Sequence, residues 1–306
     1  AWRTRSSRPA TSERVPVSVV AFALVLTAAV CHASWNVLAH GVSRIGAPFL
    51  WWGAVASTVI WAVAVPFTGG IGPSGWNGIL VGICISGVLH VVYMLVLQAG
   101  YARGRLSTVY ATARGTGPAV SAGLAILILG ERPPALALVG VAVIVVGVVA
   151  IGLFDRSSSP APVGRRRLDP GILFGLLTGV AIATYTIWDA FAIRTWEVPP
   201  VAYMVGCTLV EIPFYTVMVW RRRAEVRSVA RAHWQRILAF GVLSPLSYIL
   251  VLTAVTIAPV ALVAPVREVS VVLVALFGAF VLKEGATAGR VAAAVVVVGG
   301  IVLLAV

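Results

Sequence analysis

Charge is what this chain has least of. Asp, Glu, Lys and Arg make up 11% of its 306 residues, against about a quarter in an ordinary soluble domain. With 60% hydrophobic residues and a mean hydropathy of +1.00, the composition excludes a soluble globule and describes a polytopic membrane protein. Cysteine is scarce too. Cys31, Cys84 and Cys207 all fall inside apolar runs, which excludes a disulfide framework. Lysine is nearly absent, Lys283 standing alone among 23 basic residues. The chain also lacks G-x-S-x-G, H-E-x-x-H, a Walker loop and any paired Cys/His spacing, so the usual residue sets of hydrolases, metalloenzymes and NTPases are missing. No enzyme activity, cofactor or metal is expected.

What is present is arginine, and its placement matters more than the formal charge of +13. Of the 23 basic residues, 21 lie in tails, loops or helix ends. That is a topology signal rather than a nucleic-acid patch. Arg114 and Arg267 are the two exceptions, inside apolar segments.

Apolar runs of about 20 residues, the length of a membrane-spanning helix, recur ten times: 16–38, 47–68, 77–100, 106–130, 134–154, 170–193, 200–220, 235–256, 259–282 and 286–306. Residues 1–15 read as a flexible Arg-rich tail, and 155–168 and 221–234 as polar loops. The halves match. At an offset of 153, Trp35 falls on Trp188, Asn36 on Asp189, His32 on Tyr185, Arg114 on Arg267, Glu131 on Glu284 and Gly147 on Gly300. YMLVLQA (93–99) matches YILVLTA (248–254), shifted by two. An internal duplication follows. Because each half holds an odd number of spans, the second enters the membrane from the opposite side. The expected fold is therefore all-α, with ten transmembrane helices in two inverted five-helix repeats, 16–154 and 169–306, an architecture of secondary transporters with a central site between the repeats.

The polar residues within the spans are the candidate site. His32, Asn36 and His40 share one face of the first helix, and Tyr185 and Asp189 one face of the sixth. Asn and His also serve as glue between membrane helices, and for these residues both roles stand. Ser107, Tyr110, Arg114 and Ser121 form a stripe on the fourth helix, with Pro118 able to loosen it. Arg114 and Arg267 are each ninth in their spans, roughly 13 Å in and near mid-membrane. A guanidinium keeps its charge and forks onto carboxylate or phosphate oxygens. The pair reads as an anion site, or as structural partners of Asp189, Glu211 and Glu268. A carboxylate at a helix centre costs about 2.5–3.5 kcal/mol on insertion scales, so Asp189, Glu211 and Glu268 are the proton-coupling candidates. Adjacent on an ideal helix, Arg267 and Glu268 point about 100° apart. Trp35, Trp188, Tyr110, Tyr248 and His90 complete the expected lining with His32 and Asn36. Glu131 and Glu284 sit at helix ends and read as loop anchors. Gly140, Gly147, Gly299 and Gly300 allow close packing within the chain or a homodimer contact.

With HASWN in the first helix, LILGERPPALALVGVAVIVVG in the first repeat and FVLKEGATAGRVAAAVVVVGG in the second, the chain resembles the EamA-type drug/metabolite transporters over about 16–306. The resemblance implies a basket of helices 1–4 and 6–9 around a central cavity, with helices 5 and 10 peripheral, and alternating access. It implies a cargo among amino acids, other metabolites, nucleotide sugars and sugar phosphates. In the phosphate-translocating relatives it places basic residues on the fourth and ninth helices, where Arg114 and Arg267 stand. It also implies cytoplasmic termini. The basic-residue count, six on the N-terminal side and fifteen on the other, implies the reverse.

The expected protein is a secondary transporter in the inner (cytoplasmic) membrane, proton-coupled or exchanging and an exporter in one reading. Its partners are a small polar metabolite and the lipid bilayer, not nucleic acid. A multidrug or lipid translocator of the same fold is the alternative, and a membrane-embedded enzyme the alternative of another class.

Overall fold

A computed structural model describes residues 19–39, 42, 45–73, 75–104, 106–157, 170–281 and 287–305. The tail, most of the 155–168 linker, His40 and Glu284 lie outside the described residues, as does the side chain of Ser107. Among those described, the fold is all-helical: α1 (Val19–Ala39), α2 (Ala47–Ala62), α3 (Gly75–Arg103), α4 (Leu106–Ile128), α5 (Ala135–Ser157), α6 (Pro170–Trp196), α7 (Pro200–Val219), α8 (Arg223–Ile257), α9 (Val260–Arg267), α10 (Val269–Phe280) and α11 (Thr287–Ala305). Proline marks several starts, where its fixed φ suits the first turn and its missing N–H is not needed. Pro48 sits in the first turn of α2, α7 begins at Pro200, and Pro259 precedes α9.

Six segments are long and apolar enough to cross a membrane, α9 and α10 together forming one of them, and α2, α5 and α11 carry shorter apolar stretches. The protein is a multi-pass membrane protein. Its outer surface bears exposed Val, Leu and Ile such as Val59, Val88, Leu95, Val146, Val180 and Val217, an apolar exterior suited to lipid. The interior is packed around α9, all eight residues of which are buried.

Two expectations need correction. The charged stretch 221–234, expected to be a loop, is helical from Arg223, and the backbone leaves helical geometry at His233 (φ −131°, ψ 22°). Its high charge conceals an amphipathic pattern, with Val229 buried against the bundle and Arg223, Arg227 and Arg231 exposed. The ninth span is not continuous. It breaks at Glu268 (φ −72°, ψ −3°), where Glu268 N donates to Pro265 O and Val271 N to Glu268 O. Both bonds span three residues rather than the four of an α-helix, three residues after Pro265 removes a donor from α9.

Neighbouring helices come in sets that survive exchange of the two halves. α1 packs on α8 and α6 on α3; α2 packs on α8 and α7 on α3; α4 packs on α5 and α10 on α11; α4 packs on α6, and α9 and α10 on α1. α2 meets α7, and α5 meets α11. The last pair is close enough that a Cβ added at Gly140 would lie 2.8 Å from Gly300 O, and one at Gly147 2.6 Å from Val297 Cγ2. Gly299, in contrast, has open space around it.

Candidate functional site

Three elements converge on the centre. Arg114 comes from α4, Arg267 and Glu268 from the break between α9 and α10, and His32 from α1. Arg114 Nη1 lies 3.4 Å from both Glu268 oxygens, and Arg267 Nε lies 3.6 Å from Oε1. The two arginines and the glutamate are 7%, 5% and 1% exposed. The break in the helix is what lets Glu268 turn toward the residue beside it, against the 100° separation expected of a regular helix. The 3.6 Å contact is an ion pair without a hydrogen bond, and Arg267 Nε has no hydrogen-bond partner. Arg114 is better held. Its Nη2 is 2.7 Å from His32 Nε2 and its Cζ lies 5.2 Å over the Tyr110 ring. A guanidinium can only donate, so the His32 nitrogen facing it is the acceptor and the ring proton sits on Nδ1.

A second polar cluster adjoins the first. Asp189 on α6 is fully buried, and its carboxylate accepts from Tyr203 of α7 at 2.8 Å and from Tyr248 of α8 at 2.5 Å. Among the described residues no arginine pairs with it. His90 of α3 stacks on Tyr185 at 4.2 Å, meets Tyr248 edge-on at 5.5 Å, and approaches Ser86 through Nδ1. Tyr93 lies edge-on to Tyr185 at 5.5 Å. Tyr185 and Tyr248 are within electrostatic range of Arg267, which joins the aromatic cluster to the charged one. Arg114, Arg267, Glu268, His32 and Tyr110 thus gather in one group, and Asp189, Tyr248 and His90 in the other. Tyr93 and Tyr203 were not singled out in the sequence as lining residues. The repeat match of Tyr93 with Tyr248 was the available signal for the first, and the four-residue spacing of Tyr203, Cys207, Glu211 and Tyr215 for the second.

Other candidates are placed differently. Asn36 Nδ2 donates to the His32 carbonyl of its own helix at 2.7 Å. Trp188 Nε1 donates to Gly82 O of α3 at 3.0 Å, holding α6 against α3. Trp35 packs edge-on to Phe240 of α8 at 5.2 Å with its buried Nε1 unpaired. Glu211 is half-buried and makes no hydrogen bond or ion pair among the described residues. Glu131 is an anchor, as its position implied. Its carboxylate accepts from the α9 amides of Val260 (2.8 Å) and Ala261 (2.9 Å) and pairs with Arg194 Nη1 at 2.7 Å. Arg194 in turn donates to Val255 O and Ala258 O at the end of α8. One ion pair therefore satisfies both sides of the α8–α9 turn, the donors of one helix start and the acceptors of one helix end.

Among solved structures, a crystal structure described only as that of a protein shares the fold at TM-score 0.67 and 16% identity, covering 92% of this chain and 95% of that one. No curated protein matches the sequence. Residues 169–306 match the family model of the EamA-like transporters. Through that match the second half of the chain is similar to the EamA-like transporter family.

Proposed function

We propose that this protein is a secondary active transporter of the inner membrane. It carries a small anionic or zwitterionic metabolite by alternating access between two inverted five-helix repeats. The observation that carries this reading is the charge balance at the centre. Two buried guanidinium groups share one carboxylate, and the Arg267 Nε has no hydrogen-bond partner. A buried charge left unpaired is strongly destabilising, by about 3–5 kcal/mol when one partner of a pair is removed. A formal surplus of one positive charge in an apolar bundle is therefore a site that favours an arriving anion. A carboxylate or phosphate-like group docks between Arg114 and Arg267, and the Tyr93, Tyr185, Tyr248 and His90 rings shape the space beside it. The self-matching helix contacts support the inverted ten-span repeat.

Glu268 supplies a route to coupling. While ionised it competes with the cargo for both arginines; protonated, it releases them. Proton and anion occupancy then favour each other, since a coupling free energy acts equally in both directions. Asp189, held by two tyrosine hydroxyls, and half-buried Glu211 are the further proton carriers.

The test begins with a thermal-shift screen of the purified protein against amino acids, organic acids, phosphonates and cationic drugs. The best ligand is then followed in proteoliposomes. Arg114→Ala and Arg267→Ala are expected to abolish its movement while leaving the protein inserted and monodisperse. Normal transport by both variants, or stabilisation by cations alone, would remove the anion site.

A further inference from the structure

From the end of α7 to just past the kink at His233 in α8 runs a segment that the transport site does not use. Trp220 to Arg236 contains six arginines and one acid, Glu225. Glu225 is already held by Arg222 through Nε–Oε2 at 2.7 Å and Nη2–Oε1 at 2.5 Å. Arg221, Arg223, Arg227, Arg231 and Arg236 have no carboxylate partner among the described residues.

The segment has two faces. On one, Val229 is buried with Val42 and Phe49, and the Val226 carbonyl accepts the Trp52 indole of α2 at 2.9 Å. On the other, Arg223, Arg227 and Arg231 recur every four residues, all exposed, which places them in one row. Trp220 and Trp234 bracket the row, 61% and 56% exposed, and the Arg223 guanidinium lies 4.5 Å over the Trp220 ring. The departure from helical geometry at His233 separates this short basic helix from the apolar remainder of α8. At its other end it continues into the lipid-type surface of α7, where Val217 and Met218 are exposed.

We infer that the Trp220–Arg236 segment is a binding surface for anionic phospholipids, with the Arg223–Arg227–Arg231 row on their phosphodiester headgroups and Trp220 and Trp234 at the acyl boundary. Guanidinium groups fork onto phosphate oxygens. A helix with an apolar underside, a basic outer face and flanking tryptophans is built for the headgroup level of a bilayer. The charge would suit any polyanion. The exposed Trp220, contiguous with Val217 and Met218, favours lipid, because a water-soluble partner would have to sit against a surface that otherwise meets hydrocarbon.

The test uses the full chain in detergent, with native mass spectrometry after exposure to equal amounts of phosphatidylglycerol and phosphatidylcholine. The native protein is expected to retain phosphatidylglycerol selectively. Arg223→Gln/Arg227→Gln/Arg231→Gln together are expected to weaken that retention by roughly a hundredfold, at about fivefold per arginine near a membrane surface. The triple Lys variant keeps most of it, and Arg132→Gln, an exposed arginine outside the segment, keeps all of it. The three arginines are exposed, so the Gln variant is expected to remain folded, checked by its elution profile. Equal retention of both lipids by the native protein, or undiminished phosphatidylglycerol on the Gln variant, would overturn the inference. So would displacement of the lipid by millimolar inorganic phosphate, or binding of a poly-Glu peptide that phosphatidylglycerol does not displace.

Discussion

Glu268 sits 3.4 Å from one buried guanidinium and 3.6 Å from another, so its charge holds two like charges together. Replacing it by Gln leaves both arginines uncompensated, and apo-protein stability is expected to fall by about 3–5 kcal/mol. A bound anion should restore it. Glu268→Gln is therefore expected to melt lower than native without ligand and to gain more than native from the best anionic ligand of the screen. An unchanged melting temperature would show that Glu268 is not balancing the arginines. Asp189 has a different environment: two tyrosine hydroxyls donate to it, His90 and Ser86 lie within electrostatic range, and among the described residues no arginine pairs with it. Asp189→Asn keeps the shape and removes the exchangeable proton. Proteoliposomes with an internal pH dye are expected to show cargo movement with a reduced accompanying proton flux. Native proton flux in that variant would exclude Asp189 from coupling. His32 shows how far the residues alone could be read. Its face was legible from the spacing to Asn36, but its bond to Arg114 was not, because the partner is 82 positions away.

Helix ends and contacts decide the next scale. Glu131 caps α9, the most buried helix, from another part of the chain. Its substitution by Gln weakens a charged cap and strips Arg194 of its partner, with an expected loss of about 1–2 kcal/mol in detergent unfolding. A loss no larger than that of Arg132→Gln, an exposed neighbour, would show that the cap is not needed. α5 and α11 make a sharper comparison. Gly147→Val drives side-chain atoms into Val297, whose Cγ2 would already lie 2.6 Å from an added Cβ, for an expected cost of about 1–3 kcal/mol. Gly299→Ala enters open space and is expected to leave the melting temperature unchanged. Both glycines look alike in a Gly/Val-rich run, and only the partner helix separates them. The basic start of α8 was illegible for a related reason. Hydropathy averaged over a window scores arginine content, whereas an interfacial helix is defined by which residues, such as Val229, are buried beneath it.

For the whole molecule, the helix contacts recur when α1–α5 are exchanged with α6–α11, as the proposed inverted repeat requires. They also group the polar residues of both halves at one centre. On the ten-span reading, fifteen basic residues lie on the side of the α7–α8 connection and six on the other, so positive-inside sorting predicts that this connection faces the cytoplasm. In a variant lacking Cys31, Cys84 and Cys207, Ser228→Cys is expected to resist an impermeant maleimide in intact cells and to react once the cytoplasmic face is opened. Labelling from outside would reverse the orientation and restore the cytoplasmic termini implied by the family resemblance.

Composition and periodicity by themselves determined the membrane class, the location of the apolar helices and the unusual status of Arg114 and Arg267. These are local properties: a run of hydrocarbon or a charge inside it reads the same in any surroundings. Tertiary structure decided the rest. It broke the ninth span at Glu268 and turned that carboxylate onto both arginines. It enclosed Asp189 with Tyr203 and Tyr248, and spent Asn36 on its own backbone. Each of these depends on which groups far apart in the chain come within about 3 Å. A hydrogen bond or ion pair is made by that distance and direction, not by residue type.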